Sequence, residues 1–132
     1  MRISKTVERW FPIPDDPDKG EVLIRHLKQG VLMDISFDTT EQQTRYKLND
    51  DRDLEPEMTS KSDTRASQIA TFQAAVIDWK NFFNEDEEPL ECNPETIVRA
   101  MREIDGFVNF VNDCREKLSS DLAVDKKAQE KN

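Results

Sequence analysis

Large apolar side chains recur at three- and four-residue spacing between residues 69 and 83, and this pattern constrains the fold more than any other. The side chains are Ile69, Phe72, Val76, Trp79 and Phe83. On an α-helix, which turns about 100° per residue, they fall within roughly 80° of one another. Such a stripe can form the centre of a hydrophobic core. We therefore predict a helix that begins after a cap at Ser62 or Asp63 and ends near Phe83.

Two further helices are predicted towards the carboxyl end. Asn93 followed by Pro94 is typical of a helix start, because asparagine caps the free N–H groups and proline at the first position has none to satisfy. Asp105-Gly106 separates two apolar faces. The first consists of Ile97, Ala100, Met101 and Ile104, and the second of Phe107, Phe110, Val111, Cys114 and Leu118. Beyond Ser119 the chain is polar, and we predict a flexible tail over residues 120–132.

The amino-terminal half has the pattern of short strands. Residues 6–14 and 21–27 flank a dense turn signal and predict a hairpin, in which Pro12 and Pro14 confine the first strand to a sheet edge. Residues 28–35 fit either a helical turn or a strand. Residues 44–48 and 54–59 predict two more strands joined by 49–53, with a mobile loop as the alternative.

These elements predict an α+β fold, with a short amino-terminal β-hairpin or small antiparallel sheet followed by a bundle of about three helices. A chain of 132 residues suits one domain. We expect that domain to span residues 1–119, with a β-rich part over 1–60 and a helical part over 61–119.

Composition restricts the classes of partner. Charged residues make up 36% of the chain and the net charge is −9, so the surface repels nucleic-acid backbones. The first residues lack the apolar block of a signal peptide, and no apolar run approaches the roughly 18 residues that span a bilayer. Cys92 and Cys114 do not form a disulfide framework. We expect a soluble cytoplasmic protein that binds neither nucleic acid nor membrane.

The residues that could carry chemistry favour structural roles. His26 has no nucleophile beside it in sequence, Cys114 lies on an apolar helix face, and Cys92 is expected to be an exposed but inert loop thiol. The acidic run 84–88 lacks the glycine of a calcium-binding EF-hand loop and has Pro89 in its place, so a solvated acidic loop is favoured. No catalytic, cofactor-binding or metal-binding residue is predicted, and the chain is not expected to be an enzyme.

Three aromatic residues are candidates for binding a partner: Trp10, Phe11 and Phe82. Phe82 projects roughly 90° from the centre of the predicted helix stripe. Either the neighbouring acidic loop folds over this ring, or the ring is an exposed anchor for another chain. Trp10 and Phe11 could equally pack on the helices or be presented to a partner.

Two stretches together resemble the tail assembly chaperones of long-tailed bacteriophages and prophages. The first runs from Trp10-Phe11-Pro12 to the strand Gly20–Leu27, which has an arginine near its end. The second is Val76-Ile77-Asp78-Trp79-Lys80-Asn81-Phe82, followed by an acidic loop, Glu88-Pro89-Leu90, and Asn93-Pro94-Glu95. The chain has Glu87-Glu88 where the family usually has Asp-Gly, and residues 36–65 match no part of its pattern.

The resemblance implies a non-enzymatic function in the bacterial host cytoplasm. Such chaperones self-associate and coat the long, aggregation-prone tape measure protein before the tail tube polymerises around it, and the tube protein is a further possible partner. Two other classes stay open: an acidic inhibitor or nucleic-acid mimic, suggested by the charge of −9, and a small structural component of the virion.

Overall fold

Five strands and four helices make up the described part of the chain, so the predicted α+β class is confirmed. In chain order they are β1 (Glu8–Pro12), β2 (Glu21–Arg25), α1 (Gln29–Asp38), β3 (Thr40–Leu48), β4 (Leu54–Ser62), α2 (Thr64–Ala75), β5 (Val76–Lys80), α3 (Pro94–Glu103) and α4 (Phe107–Glu130).

The computed structural model describes the backbone of residues 1–130 and the side chains of residues 1–125. Met1–Lys28 and the chain from Phe72 onward form one compact unit, here called unit 1, and Gln29–Thr71 form a second, called unit 2. This division differs from the expected halves 1–60 and 61–119. The amino-terminal hairpin belongs with the carboxyl-terminal helices because its apolar side chains enter the same core.

Unit 1 is built on an antiparallel sheet with the strand order β1-β2-β5. The predicted hairpin is confirmed: β1 pairs with β2, and Pro12 lies at the end of an edge strand. The central strand β2 places Val22 and Ile24 in the core with no exposed surface. Its last residue, Arg25, donates a hydrogen bond of 2.9 Å to the carbonyl oxygen of Ala74 at the end of α2.

The predicted helix from residue 63 to about Phe83 is wrong beyond Ala75, where the chain continues as the strand β5. A β-bulge explains the misleading spacing. Leu23 pairs with Asp78 and Ile24 with Val76, so Ile77 is the extra residue. The bulge turns Val76 and Trp79, which are three positions apart, into the core together. The apolar spacing in β5 is therefore the same as that of a helix, but the β-branched and aromatic residues of this segment favour a strand.

An aromatic cluster fills the centre of unit 1. Trp79 and Phe82 stack with ring centroids 4.4 Å apart and planes 4° from parallel. Phe107 meets them edge to face at 6.3 and 6.1 Å, and its ring is also 6.4 Å from that of Phe72. The indole N–H of Trp79 donates to the carbonyl oxygen of Leu90 at 2.7 Å. The cluster therefore combines apolar burial with a satisfied polar group.

Asn93 caps α3 as predicted. Its side-chain oxygen accepts from the N–H of Thr96 at 2.9 Å, and the Thr96 hydroxyl accepts from the N–H of Asn93 at 2.9 Å, with Pro94 in the first turn. This reciprocal pair is a capping box. The predicted break is also present, because Gly106 adopts a φ of +83° between α3 and α4.

Helix α4 continues through the region where a flexible tail was expected, and residues 131 and 132 of that prediction lie outside the described residues. No glycine or proline follows Gly106, and Ala, Lys, Gln and Glu sustain a helix well. Leu122 still packs against the core, and Asp121 pairs with Arg9 of β1 at 2.6 Å. These contacts extend the ordered helix beyond Ser119.

The turn between β1 and β2 brings Gly20 against the core. Its N–H donates to a carboxylate oxygen of Asp16 at 2.8 Å. A Cβ atom at this position would lie 2.7 Å from that oxygen and 3.3 Å from the ring of Phe82. A side chain at position 20 would therefore have to displace these neighbours.

Unit 2 consists of α1, the β3–β4 hairpin and the first turns of α2. Residues 29–38 form a helix, so the helical alternative holds for the segment that had two interpretations. The two predicted middle strands are present and longer than expected. Asn49 closes their turn, since its side-chain oxygen accepts from the N–H groups of Asp51 and Asp53 at 3.0 and 2.9 Å. Asp63 caps α2 through the N–H of Ala66 at 3.0 Å, as predicted.

Replacing Phe82 by alanine should destabilise unit 1 by about 3–4 kcal/mol, since the ring is 7% exposed and stacked on Trp79. Phe83→Ala should change the free energy of unfolding by less than about 1 kcal/mol, because that ring is 43% exposed. Urea unfolding of both variants measures the difference. Equal destabilisation would contradict the observed chain path, which buries Phe82 and leaves Phe83 partly exposed, whereas a continued helix would bury Phe83.

Candidate protein-binding surface

The β3–β4 hairpin has one apolar and one charged face, and its register determines which is which. Residues that pair across the two strands point to the same side, and sides alternate along each strand. One face carries the pairs Thr40–Ser62, Gln42–Ser60, Thr44–Met58, Tyr46–Pro56 and Leu48–Leu54. The other face carries Glu41–Lys61, Gln43–Thr59, Arg45–Glu57 and Lys47–Glu55. The first face is apolar towards the turn, and the second is polar throughout.

The apolar face of the hairpin is uncovered. Tyr46 is 70% exposed, Leu48 64%, and Leu54 and Met58 68% each. A two-stranded hairpin is marginally stable by itself, and burial of apolar surface stabilises by about 25 cal/mol per Å². A partner that covers this face would therefore stabilise the hairpin and be held by it.

Helix α1 adds two exposed apolar side chains on the same side. Met33 is 61% exposed and Phe37 84%. Together with Ser36 they line an open cleft of about 620 Å³ whose opposite wall is formed by Thr40 and Gln42. Because Thr40 and Gln42 belong to the apolar face of the hairpin, the helix and hairpin form one surface. We call it the unit 2 apolar surface, formed by Met33, Phe37, Tyr46, Leu48, Leu54 and Met58.

The side chains of this surface suit association with many different apolar partners. Aromatic and methionine side chains adapt to different apolar partners, because the thioether chains are flexible and the rings offer large contact area. The charged face opposite alternates acidic and basic residues across the strands, which keeps that side compatible with water. An amphipathic hairpin with one exposed apolar side has the pattern of a surface that associates with another apolar surface.

The three aromatic residues expected to bind a partner lie elsewhere, and two are corrected. Phe11 and Phe82 are each 7% exposed and belong to the core of unit 1. Phe82 follows the end of β5 and Asn81, which adopts a left-handed φ of +60°, and its ring stacks on Trp79, so it is not the exposed anchor. Trp10 is half-buried, with the ammonium group of Lys80 4.1 Å from its ring centroid.

Sequence reasoning missed the unit 2 apolar surface, although a signal for it is present. Residues 44–48 read Thr-Arg-Tyr-Lys-Leu and 54–58 read Leu-Glu-Pro-Glu-Met, so charged residues alternate with apolar or uncharged ones in both strands. This alternation indicates an amphipathic hairpin. The alternation does not reveal whether another element covers the apolar side, and in the described chain this side is left exposed.

The acidic loop is a compact turn built on one asparagine. The side-chain oxygen of Asn84 accepts from the N–H groups of Asp86 and Glu88 at 2.9 and 3.0 Å. A backbone hydrogen bond lowers the pKa of the Glu85 carboxyl. The guanidinium of Arg99 pairs with the same carboxyl and lowers its pKa further. Glu87 adopts a φ of +62°.

His26 is half-buried, and its backbone N–H donates to the carbonyl oxygen of Val7 at 2.8 Å. Within the described residues, no group of three or more His, Cys, Asp or Glu side chains is arranged to hold a metal ion. The described helices also include none that is both long enough and apolar enough to cross a membrane.

Cys114 is buried in the core as predicted, whereas Cys92 is half-buried against the core instead of exposed. Burial raises the pKa of each thiol to about 11. Nearby carboxylates, Asp78 for Cys92 and Asp113 for Cys114, act in the same direction. Both thiols are therefore protonated at neutral pH and weak nucleophiles.

No protein-family model, curated protein or solved structure matches this chain.

At pH 8 the two thiols should react with a disulfide reagent at least about ten-fold more slowly than free cysteine, because a pKa of about 11 leaves little thiolate and the greater nucleophilicity of that thiolate offsets only part of the loss. The folded state favours the protonated thiol, so this contribution to stability is complete below the pKa of the unfolded thiol and is lost as the pH rises to about 11. Urea unfolding at several pH values tests this. A Cys92→Ala/Cys114→Ala variant should lose less stability between pH 8 and 11, and an unchanged loss would contradict the assignment.

Glu87→Gly should stabilise the protein by about 0.5–1 kcal/mol, since glycine adopts a left-handed φ without the steric cost that glutamate meets. Glu88→Gly is the matched control: it removes the same charge one position later, where φ is not positive, and should not stabilise. Thermal unfolding of both variants measures the difference. A gain of equal size in both would mean that charge, and not backbone strain, limits this loop.

Proposed function

We propose that this chain is a non-enzymatic tail assembly chaperone of a long-tailed bacteriophage or prophage, and that it binds the tape measure protein. Two independent features support the proposal. The stretches around Trp10–Leu27 and Val76–Glu95 resemble that family. The unit 2 apolar surface, which lies in the part of the chain outside the resemblance, gives the protein a means of holding another chain.

The exposed apolar surface of unit 2 is the observation that carries the proposal. A long helical protein that waits for its tube to assemble must have its apolar stripes shielded from other copies. A hairpin that presents Tyr46, Leu48, Leu54 and Met58 to solvent can cover such a stripe by side-chain contact alone. Its reverse face, with Arg45 opposite Glu57 in register, stays hydrated in the complex. The net charge of −9 favours solubility of the coated assembly.

The charge arrangement of unit 2 favours a chaperone over a nucleic-acid mimic. A mimic presents rows of carboxylates on one face. On the charged face of this hairpin, acidic residues lie opposite basic ones instead: Glu41 with Lys61, Arg45 with Glu57, and Lys47 with Glu55.

The remaining alternative is a small structural component of the virion. Mass spectrometry of purified phage particles distinguishes it from a chaperone, because a chaperone is absent from the finished particle and a structural component is present.

Co-expression with the long helical reading frame expected downstream of the gene tests the proposal. The wild-type chain should keep that protein in the soluble fraction and co-purify with it. Tyr46→Ser/Met58→Ser removes two apolar contacts from the unit 2 apolar surface and should reduce co-purification at least about ten-fold.

The matched control is Arg45→Ser/Glu57→Ser, a double change in one register pair on the opposite face that leaves the net charge unchanged. It should co-purify as the wild type does. Equal recovery with both double variants would remove the unit 2 apolar surface from the proposal. The absence of a tube gene upstream and a tape measure gene downstream would remove the tail-assembly function itself.

A further inference from the structure

A second exposed apolar site lies in unit 1, where two clefts meet. One cleft, of about 320 Å³, lies between the 83–90 loop and α3, and the other, of about 440 Å³, lies beside the β1–β2 turn. Phe83 and Ile104 line both clefts, so the two adjoin at these side chains, and we call them together the groove. Phe83 is 43% exposed and Ile104 40%.

Residues in the lining of the groove are held by hydrogen bonds and helix packing. Leu90 lines it, and its carbonyl oxygen accepts the indole N–H of Trp79 at 2.7 Å while its N–H donates to Phe82 at 2.8 Å. Ala100, also in the lining, is 1% exposed and belongs to the capped helix α3. A partner would therefore meet a preformed apolar site, with little side-chain ordering to oppose binding.

The groove is bordered by acidic side chains. They are Asp15, Asp16 and Asp18 in the β1–β2 turn, Glu85 in the loop, Glu103 at the end of α3, and Asp105 after it. The single basic residue in the lining, Arg99, is held by Glu85 and by Glu103, the latter at 2.6 Å. Asp16 is engaged in its own turn through Gly20. The groove therefore combines an apolar centre with a strongly negative rim.

The backbone next to the groove limits how a partner can bind. The carbonyl of Phe82 and the N–H and carbonyl groups of Asn84 already have partners within the loop. Strand addition at this point would have to compete with those bonds. A helix, whose backbone bonds are internal, can bind through side chains alone.

We propose that this groove binds a basic amphipathic helix of another protein. The helix would place a bulky apolar side chain between Phe83 and Ile104 and direct Lys or Arg side chains towards Asp15, Asp18 and Asp105. Charge complementarity selects this occupant, because an acidic or neutral helix would leave the negative rim facing like charge or no charge. The groove and the unit 2 apolar surface share no residue, and the inference does not depend on the proposed function.

A labelled peptide of about 14 residues, composed of leucine and lysine at helical spacing, is the probe. Fluorescence anisotropy at low salt should show binding that weakens as salt rises. A peptide of the same pattern with glutamate in place of lysine should not bind. Phe83→Ser and Ile104→Ser should each weaken binding of the lysine peptide about ten-fold.

Two double variants separate the groove from the overall negative charge. Asp15→Asn/Asp18→Asn removes two charges at the rim and should weaken binding at least about five-fold while reducing its salt dependence. Asp113→Asn/Glu116→Gln removes two charges from exposed positions of α4 in the same unit, outside the lining of both clefts, and should leave binding within about two-fold of wild type. Asn tolerates the φ of +58° at position 15, so the first variant keeps its turn.

Three results would overturn the inference. They are equal weakening by the two charge variants, wild-type affinity in both Phe83→Ser and Ile104→Ser, and binding of the glutamate peptide as tight as that of the lysine peptide. Tyr46→Ser/Met58→Ser should bind the lysine peptide as the wild type does. Loss of peptide binding in that variant would also overturn the inference, whatever the outcome with the tape measure protein.

Discussion

The stack of Trp79 on Phe82 is the contact on which the organisation of unit 1 depends. The two rings lie 4.4 Å apart and Phe107 closes them edge to face, so one cluster joins the sheet to the long carboxyl-terminal helix. The same indole fixes the 83–90 loop through the carbonyl of Leu90. Burying the polar N–H without that acceptor would cost about 1–3 kcal/mol, so the loop and the core require each other.

Several elements follow from local chemistry and were predictable. Asn93-Pro94 predicts a helix start, and the capping box bears this out. Of the predicted apolar positions of α4, Phe107, Val111, Cys114 and Leu118 are buried and Phe110 is half-buried. The amino-terminal hairpin follows from its turn residues and from the alternation of its second strand. In each case the signal lies within a few residues, and tertiary contacts agree with it.

The failures have identifiable physical causes. A bulge at Ile77 gives β5 the three-residue apolar spacing of a helix, and periodicity cannot separate the two. The error exchanged the environments of Phe82 and Phe83: the ring predicted to lie off the apolar stripe is in the core, and the ring predicted to lie on it borders a groove. The unit 2 apolar surface was missed for a different reason. Alternation in a sequence shows which side of a hairpin is apolar, but whether another element covers that side is a property of the whole fold.

The close approach of Gly20 to Phe82 has a consequence for how this protein can diverge. A Cβ atom at position 20 would lie 3.3 Å from the Phe82 ring and closer still to the Asp16 carboxylate. A bulkier residue in the turn therefore requires the Asp16 carboxylate and the end of the Ile13 side chain to move aside and the Phe82 ring to give by a few tenths of an ångström. In descendants of this sequence, a substitution at position 20 should be accompanied by changes at position 13, 16 or 82.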